Sequence, residues 1–302
     1  MIDIPEVVVE RVAGVVGAKV VDNASSASAA TIAATGFAVR RVAAESSSLF
    51  TMSLKAARRA LDGIAPSEIK GVVVATFSNE ERFPALSVRL ATAIGLSPAV
   101  PALDLQMACS AYPYALYVAG RLAHDLGGKV LVVNGDIQSR LSDLADAATS
   151  PLFSDAATAS VVSASSGGVS RFDFLSKHSD ALSCSSAGPI KMDGFKVFSF
   201  VATDVVRFLR PFGSDFDAFV PHQANMYMVR QLAKSLGLES KLVTCGAEFA
   251  NPGSCSIPLA LLSCRSAGKA LVCGFGAGLS ASAGVIRLLD GAALGVEAED
   301  HA

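Results

Sequence analysis

The chain contains no tryptophan, few aromatic residues (7%) and few charges (17%). Each scarcity excludes a class of function. The 25 basic and 27 acidic residues nearly cancel, to a formal net charge of −2, and no basic run disturbs the balance. That argues against a nucleic-acid binder. Six cysteines, at 109, 184, 245, 255, 264 and 273, form no CxxC pair. Neither a disulfide framework nor a zinc knuckle fits them, and no metal or bound cofactor is expected. Long hydrophobic runs are missing too. The most apolar windows, such as 270–278, break well short of the ~20 residues a spanning helix needs. The start, Met1-Ile2-Asp3-Ile4-Pro5-Glu6, lacks the basic opening of a signal peptide. A soluble, cytoplasmic protein without membrane contact is expected.

What is present is apolar mass: 51% of 302 residues are hydrophobic, which excludes a disordered chain and suffices for one large core or two fused ones. Alanine, glycine, serine and valine abound, pointing to helices packed closely on a buried sheet. Candidate strands are Gly71–Ala75, Lys129–Val133, Ala159–Ser163, Ala218–Pro221, Ala270–Gly274 and Gly284–Leu288. Their unbroken apolar runs suit strands covered on both faces. Candidate helices alternate with them: Thr51–Leu61, Ala85–Ile94, Tyr114–Leu126, Val197–Leu209, Ala224–Leu236 and Ile257–Ser266. The alternation implies a layered α/β fold.

A repeat is visible as well. Cys109-Ser110 opens a helix followed by the strand from Lys129, and Cys255-Ser256 opens another followed by the strand from Lys269. The two cysteines lie 146 residues apart, close to half the chain. The expected organisation is two similar halves, 1–165 and 166–302, joined by a connector at Ser163–Gly168. Chance similarity between two alanine-rich helices is the alternative.

Three residues stand out chemically. Cys109 sits in Leu103-Asp-Leu-Gln-Met-Ala-Cys-Ser-Ala-Tyr112, where a strand-like run turns into a helix. Unpaired amides and the helix dipole favour thiolate there, and the same amides can receive an oxyanion. A buried structural cysteine is the alternative, and the other five cysteines are assigned to it. His222, in Phe219-Val-Pro-His-Gln-Ala-Asn225, follows a strand end, where α/β sheets place ligands. It suits a general base or hydrogen-bond donor, or simply a turn histidine. Asn251, in Glu248-Phe-Ala-Asn-Pro-Gly-Ser254, leads into the second repeat helix, though Asn before Pro-Gly is also ordinary turn chemistry. The Gly274-Phe-Gly-Ala-Gly278 stretch precedes a strand rather than a helix, which disfavours a phosphate loop. It suits close backbone approach to a reacting carbonyl. Glu80 and Glu81 read as a solvated loop beside Arg82.

Together these strings, with Leu152-Phe-Ser-Asp-Ala-Ala157, resemble the thiolase superfamily, and within it the β-ketoacyl-acyl-carrier-protein synthase III group. The resemblance spans about residues 35–288, and its Pro-His-Gln-Ala-Asn string is highly specific. It implies a five-layered αβαβα fold of two pseudo-duplicated halves, usually a homodimer. It also implies a transferase of fatty-acid or polyketide biosynthesis. In that reading Cys109 takes an acyl group from a thioester. His222 and Asn251 bind the malonyl thioester carbonyl, promote loss of CO₂ and stabilise the enolate. The amides of Cys109 and Ala277 form an oxyanion hole, and Arg230 and Lys234 help dock acyl-carrier protein.

The departures from the family pattern carry their own expectations. Relatives that use coenzyme A stack its adenine between a Trp and an Arg; here the counterparts are near Ala30 and at Ala147. A docking arginine is replaced by Tyr227. The segment between Asp155 and Met192 is short, which would open the acyl pocket. An acyl-carrier-protein thioester is therefore the favoured donor over acyl-coenzyme A. No Glu follows Thr76 and no cysteine occupies 277–279, which argues against hydroxymethylglutaryl and thiolase chemistry. Because Ala250 and Pro252 replace the usual Gly and Thr around Asn251, two alternatives stand beside condensation. One is acyl transfer to a small nucleophile without decarboxylation. The other is a non-catalytic partner subunit of a heterodimer.

Overall fold

The computed structural model describes residues 1–143, 145–147, 149–185, 188–264 and 268–300. Among them the strands are β1 (Ile2–Val16), the ribbon β2 (Lys19–Asp22) with β3 (Val39–Val42), β4 (Ile69–Ala75), β5 (Ala102–Leu105), β6 (Lys129–Ile137) and β7 (Asp155–Ser179). The ribbon β8 (Leu182–Ser183) with β9 (Lys191–Met192) follows, then β10 (Ala218–Pro221), β11 (Gly268–Gly276), β12 (Gly278–Leu288) and β13 (Ala293–Ala298). The described helices are α1 (Ala29–Thr35), α2 (Leu49–Ala60), α3 (Leu86–Ala93), α4 (Ala111–Leu126), α5 (Gly194–Phe200), α6 (Val206–Leu209), α7 (Met226–Leu236), α8 (Gly246–Phe249) and α9 (Ser256–Leu261). A π-helical turn at Val201–Val205 joins α5 to α6, so the helix expected over 197–209 is continuous.

Strand pairing runs β5-β4-β6-β7-β1 on one side of the molecule and β10-β11-β12-β7 on the other. In the first series β4 is parallel to β5 and β6, and β7 is antiparallel to β6 and β1. In the second, β10 is parallel to β11, and β12 is antiparallel to β11 and β7. A single parallel bridge from Phe219 to Leu242 stands where β5 would be. The same order of directions thus occurs twice.

The join between the halves differs from expectation. Residues 163–168 are not a connector: they lie inside β7, a strand of 25 residues that pairs with β6 at its start and β12 at its end. Against β1 the register jumps from Ser165 opposite Glu6 to Val169 opposite Pro5. The Ser-Gly-Gly between them bulges outward because both flanks are held in the ladder. A boundary at 165/166 therefore falls within one strand. β1 itself carries no clean sequence signal, since Pro5, Glu6, Glu10 and Arg11 interrupt its apolar run. The helix expected over 257–266 ends at Leu261, and the last two residues of that span lie outside the described residues.

Three apolar clusters separate the layers. One fills the space between α2, α3 and the first strand series, with Leu49, Met52, Leu86 and Leu90 against Val72, Val74 and Leu131. A central cluster holds α4 and α9 between the two series, with Tyr112, Leu116, Ile257 and Leu259 against β1, β4 and β6. A third packs α5, α6 and α7 on the second series through Phe200, Leu209, Leu232 and Phe275. Local sequence supports each helix. Ser48 and Thr51 form a reciprocal capping box on α2, and Asn225 caps α7 by accepting the Met228 N–H at 2.7 Å. The buried face of α4 is mostly small (Ala111, Ala115, Ala119, Gly120, Ala123), which is how a chain without tryptophan packs two sheets so close.

The halves touch backbone to backbone where β11 meets the turn before α4. A Cβ on Gly274 would lie 2.7 Å from Ser110 Cα and 2.8 Å from the Cys109 carbonyl oxygen. Both are backbone atoms and cannot swing aside. Gly274→Ala is expected to destabilise the protein by about 1–3 kcal/mol, read as a lower Tm, with loss of Cys109 acylation. An unchanged Tm would contradict this contact.

Candidate active site

β5 ends at Leu105, and a 3₁₀ turn over Ala108–Ser110 leads directly into α4. Ala108 has φ 42°, a left-handed conformation that costs a non-glycine residue energy and is typical of functional turns. The turn buries Cys109, leaving it 6% exposed, against the end of β11. There Gly276, at φ 148°, passes so near that a Cβ would sit 3.1 Å from Cys109 Cβ and 3.4 Å from its Sγ. Only glycine lets the strand by.

Burial and, after it, the Asp136 carboxylate push the Cys109 thiol up to about 12, while the N–H groups of Cys109 and Ala277 pull it down. The expectation of a thiolate from the helix terminus is thus corrected for the resting protein. Dehydration outweighs the amides, and Cys109 rests as a thiol. The same amides remain aimed at the sulfur.

His222 leaves β10 with its backbone N–H donating to the Cys273 carbonyl at 2.7 Å. Its ring is almost wholly buried, in a T-shaped pair with Phe275 with centroids 5.4 Å apart, and its Nδ1 lies 2.7 Å from Ser256 Oγ. Burial pushes the imidazole down to about 3, with the Gly253 backbone working the other way, so the ring is neutral near pH 7. Gln223 braces it, donating to the Pro221 carbonyl and accepting from the Cys245 N–H.

Asn251 is buried and stitched to the first half of the chain. Its N–H donates to the Leu152 carbonyl at 3.0 Å, and its carbonyl accepts from the Ser154 N–H and from Gln138 Nε2 at 3.0 Å each. Its side-chain oxygen accepts the Gly253 N–H at 3.0 Å, and Nδ2 reaches the Ala224 carbonyl only at 3.5 Å. Ala250 before it takes φ 50°, where the family pattern has glycine.

A cavity of about 270 Å³ opens onto Cys109 and Ala277. Phe77, Met107, Phe153, Leu182 and Ile190 line it, giving an apolar chamber beside a nucleophile. The structure brings Cys109 and Ala277 to this wall together. His222 and Asn251 do not line it: His222 packs against Phe275, and Asn251 accepts through its carbonyl from Gln138, which does line it. Arg230 and Lys234 lie elsewhere, exposed on α7 one and two turns beyond exposed Tyr227. Ala30 and Ala147 are exposed alanines. Glu80 and Glu81 are exposed but pair with Arg140 and Arg89 rather than Arg82.

Among the remaining cysteines, 245, 255 and 273 are buried and their thiols pushed up by burial. Cys184 is a correction: it is exposed and lines the cavity, because the β8 strand turns it outward. Two polar residues escaped the sequence reading, Ser256 and Asp136. The signal for Asp136 was a carboxylate at the end of an apolar strand. Its Oδ1 accepts four hydrogen bonds from Thr76, Phe77 and Ser78, at 2.9–3.2 Å, while Oδ2 has no partner among the described residues. Burial pushes this carboxyl up to about 7 against those hydrogen bonds.

Comparison with known proteins is decisive at this point. Residues 103–180 match the family model described as 3-oxoacyl-[acyl-carrier-protein (ACP)] synthase III, and residues 213–288 match that family's C-terminal model. The β-ketoacyl-[acyl-carrier-protein] synthase III of Rhodospirillum rubrum is 34% identical over 262 residues, 78% of this chain and 81% of that protein. The chain belongs to this family. Among solved structures, the priming β-ketosynthase of the R1128 polyketide pathway is similar with TM-score 0.87 and 32% identity, covering 95% of this chain and 98% of that one. A 3-oxoacyl-(acyl-carrier protein) synthase from Burkholderia xenovorans LB400 superposes with TM-score 0.91 at 24% identity, over 98% of each chain, which speaks to the fold alone. The synthase III family member is thus thiolase-like, five layers built from two pseudo-duplicated halves.

Within this family site, Asp136 supplies a pH test. Its carboxyl is raised in the fold, so its contribution to stability is present in acid and lost as pH rises through about 7. Asp136→Asn cannot ionise. The Tm of the variant minus that of the parent should therefore rise between pH 5 and pH 8.5; a constant difference would contradict the assignment.

Proposed function

We propose that this synthase III family member loads an acyl group onto Cys109 and condenses it with malonyl-acyl-carrier protein. The products are a β-ketoacyl thioester and CO₂. One observation carries the reading: Cys109, whose thiolate form its own backbone amide and that of Ala277 both favour, stands with Ala277 at the wall of an apolar cavity. As sulfur adds to the thioester carbonyl, the new oxyanion moves toward those amides, preorganised in a dry site where their dipoles act strongly. The thiol proton departs with the donor's sulfur, and the acyl chain takes the cavity. Splitting the condensation this way makes two easier steps of one hard one.

The second step needs neutral donors at the malonyl carbonyl. A dry imidazole depressed to about 3 is such a donor, since it keeps one ring N–H without positive charge. Asn251 adds an amide N–H. Decarboxylation then leaves an enolate held by both, and its carbon attacks the acyl-cysteine, returning Cys109 as the leaving sulfur. The non-catalytic partner-subunit reading has no use for a buried thiol, imidazole and amide kept together in this order of family strings. Transfer without decarboxylation keeps one point in its favour, the side-chain oxygen of Asn251 being tied into its own turn. Nδ2, with only a long contact, is free to turn to a substrate.

With exposed Ala30 and Ala147 where adenine would stack, an acyl-carrier-protein thioester is the donor this reading favours over acyl-coenzyme A. Tyr227, Arg230 and Lys234 form one exposed stripe on α7, suited to an acidic carrier protein. The chain would act as a homodimer in the cytoplasm, its halves parting inside β7, near 165/166. No described helix is long and apolar enough to cross a membrane.

Two variants test the division of labour. Asn251→Ala should still accept an acyl group on Cys109 while condensation falls by about 100-fold or more; undiminished product would overturn the decarboxylation role. Arg230→Glu with Lys234→Glu should raise KM for malonyl-acyl-carrier protein severalfold with kcat little changed. An unmoved KM would place docking elsewhere.

A further inference from the structure

Ser256 is the first residue of α9 and is wholly buried. Its Oγ meets two polar groups among the described residues, the Gln223 N–H at 3.2 Å and His222 Nδ1 at 2.7 Å. The first contact has only one possible direction: the amide donates and Oγ accepts. The hydroxyl then still holds its own hydrogen, and leaving a buried donor unpaired is costly. Nδ1 is the acceptor within reach. A ring nitrogen that accepts leaves the proton of a neutral imidazole on the other nitrogen.

We propose that Ser256 is the positioning residue that holds His222 as its Nε2–H tautomer, through a hydrogen bond donated from Oγ to Nδ1. The inference rests on the reading of His222 as a neutral donor to the malonyl carbonyl, and names what makes it one. The opposite tautomer would donate from Nδ1 to Ser256 and strand the hydroxyl hydrogen. It would also present the lone pair of Nε2 to the substrate oxygen, so that two acceptors faced each other. The geometry leaves the ring little freedom to escape this choice. Its backbone N–H is tied to Cys273, its ring is packed in a T-shaped pair with Phe275, and the Gln223 amide fixes the Ser256 rotamer. Ser256 does not line the cavity and makes no hydrogen bond to Cys109 among the described residues, so its removal should act on the second step alone.

The test is the ring itself. In ¹⁵N-histidine-labelled protein, His222 should show an unprotonated, hydrogen-bonded Nδ1 and a protonated Nε2 at pH 7; a protonated Nδ1 would overturn the proposal. That measurement needs no variant and stands even if Ser256→Ala fails to fold. In folded Ser256→Ala the two tautomers should mix, and condensation should drop by about 10- to 100-fold while acylation of Cys109 stays within threefold. Ser256→Thr, which keeps the hydroxyl, should restore the Nε2–H signature. Condensation unchanged in Ser256→Ala, with the parent's tautomer retained, would also overturn it. If His222→Ala condenses as fast as the parent, the reading beneath fails instead, and the tautomer measured in the parent shows which of the two was wrong.

Discussion

The contact on which the rest of this molecule depends is the passage of β11 across the turn that carries Cys109. Two glycines make it possible. Gly274 lies against the backbone of Cys109 and Ser110, and Gly276 against the sulfur-bearing side chain. That closeness sets the Ala277 amide on the thiol and joins the nucleophile of the first half to the strand beside His222. It also explains the composition. Layers stacked around a central α4 and α9 come this close only if the facing residues are small, so alanine, glycine and serine replace bulk.

Dryness then sets the chemistry. The same burial that raises the Cys109 thiol to about 12 lowers the His222 imidazole to about 3, so both rest uncharged. A thiolate–imidazolium pair is not the resting state here. The site is built instead of neutral groups and backbone dipoles, strongest where water is excluded and where charge appears only during reaction. Asp136 is the exception, a buried carboxyl pushed up to about 7, with one oxygen unpartnered among the described residues. Through its other oxygen it holds the backbone of Phe77, part of the cavity wall. A charge that opposes the thiolate is thus also a structural tie for the acyl chamber.

Legibility in the sequence divided along physical lines. Cys109, His222 and Asn251 stand in local strings, each at a strand end or helix start, and could be read one residue at a time. The expected helices appear with ends shifted by a few residues, because caps such as Ser48 and Asn225 are local too. What could not be read depends on distant segments meeting. The cavity wall takes Phe77, Phe153 and Ile190 from three separate stretches. The protonation state of Cys109 turns on burial, which a helix-terminus argument does not contain. Ser163–Gly168 has the composition of a linker but is held in a strand by β1 on both flanks. Cys184 passes for a structural cysteine until β8 turns it into the cavity mouth.

The central claim is that Cys109 carries the acyl group between two amides. Intact-protein mass spectrometry after incubation with acyl-carrier-protein and acyl-coenzyme A thioesters tests it most directly. The account predicts a single acyl adduct, formed faster from the carrier-protein thioester and lost in Cys109→Ala. An adduct that survives that substitution, or none from any donor, would contradict it.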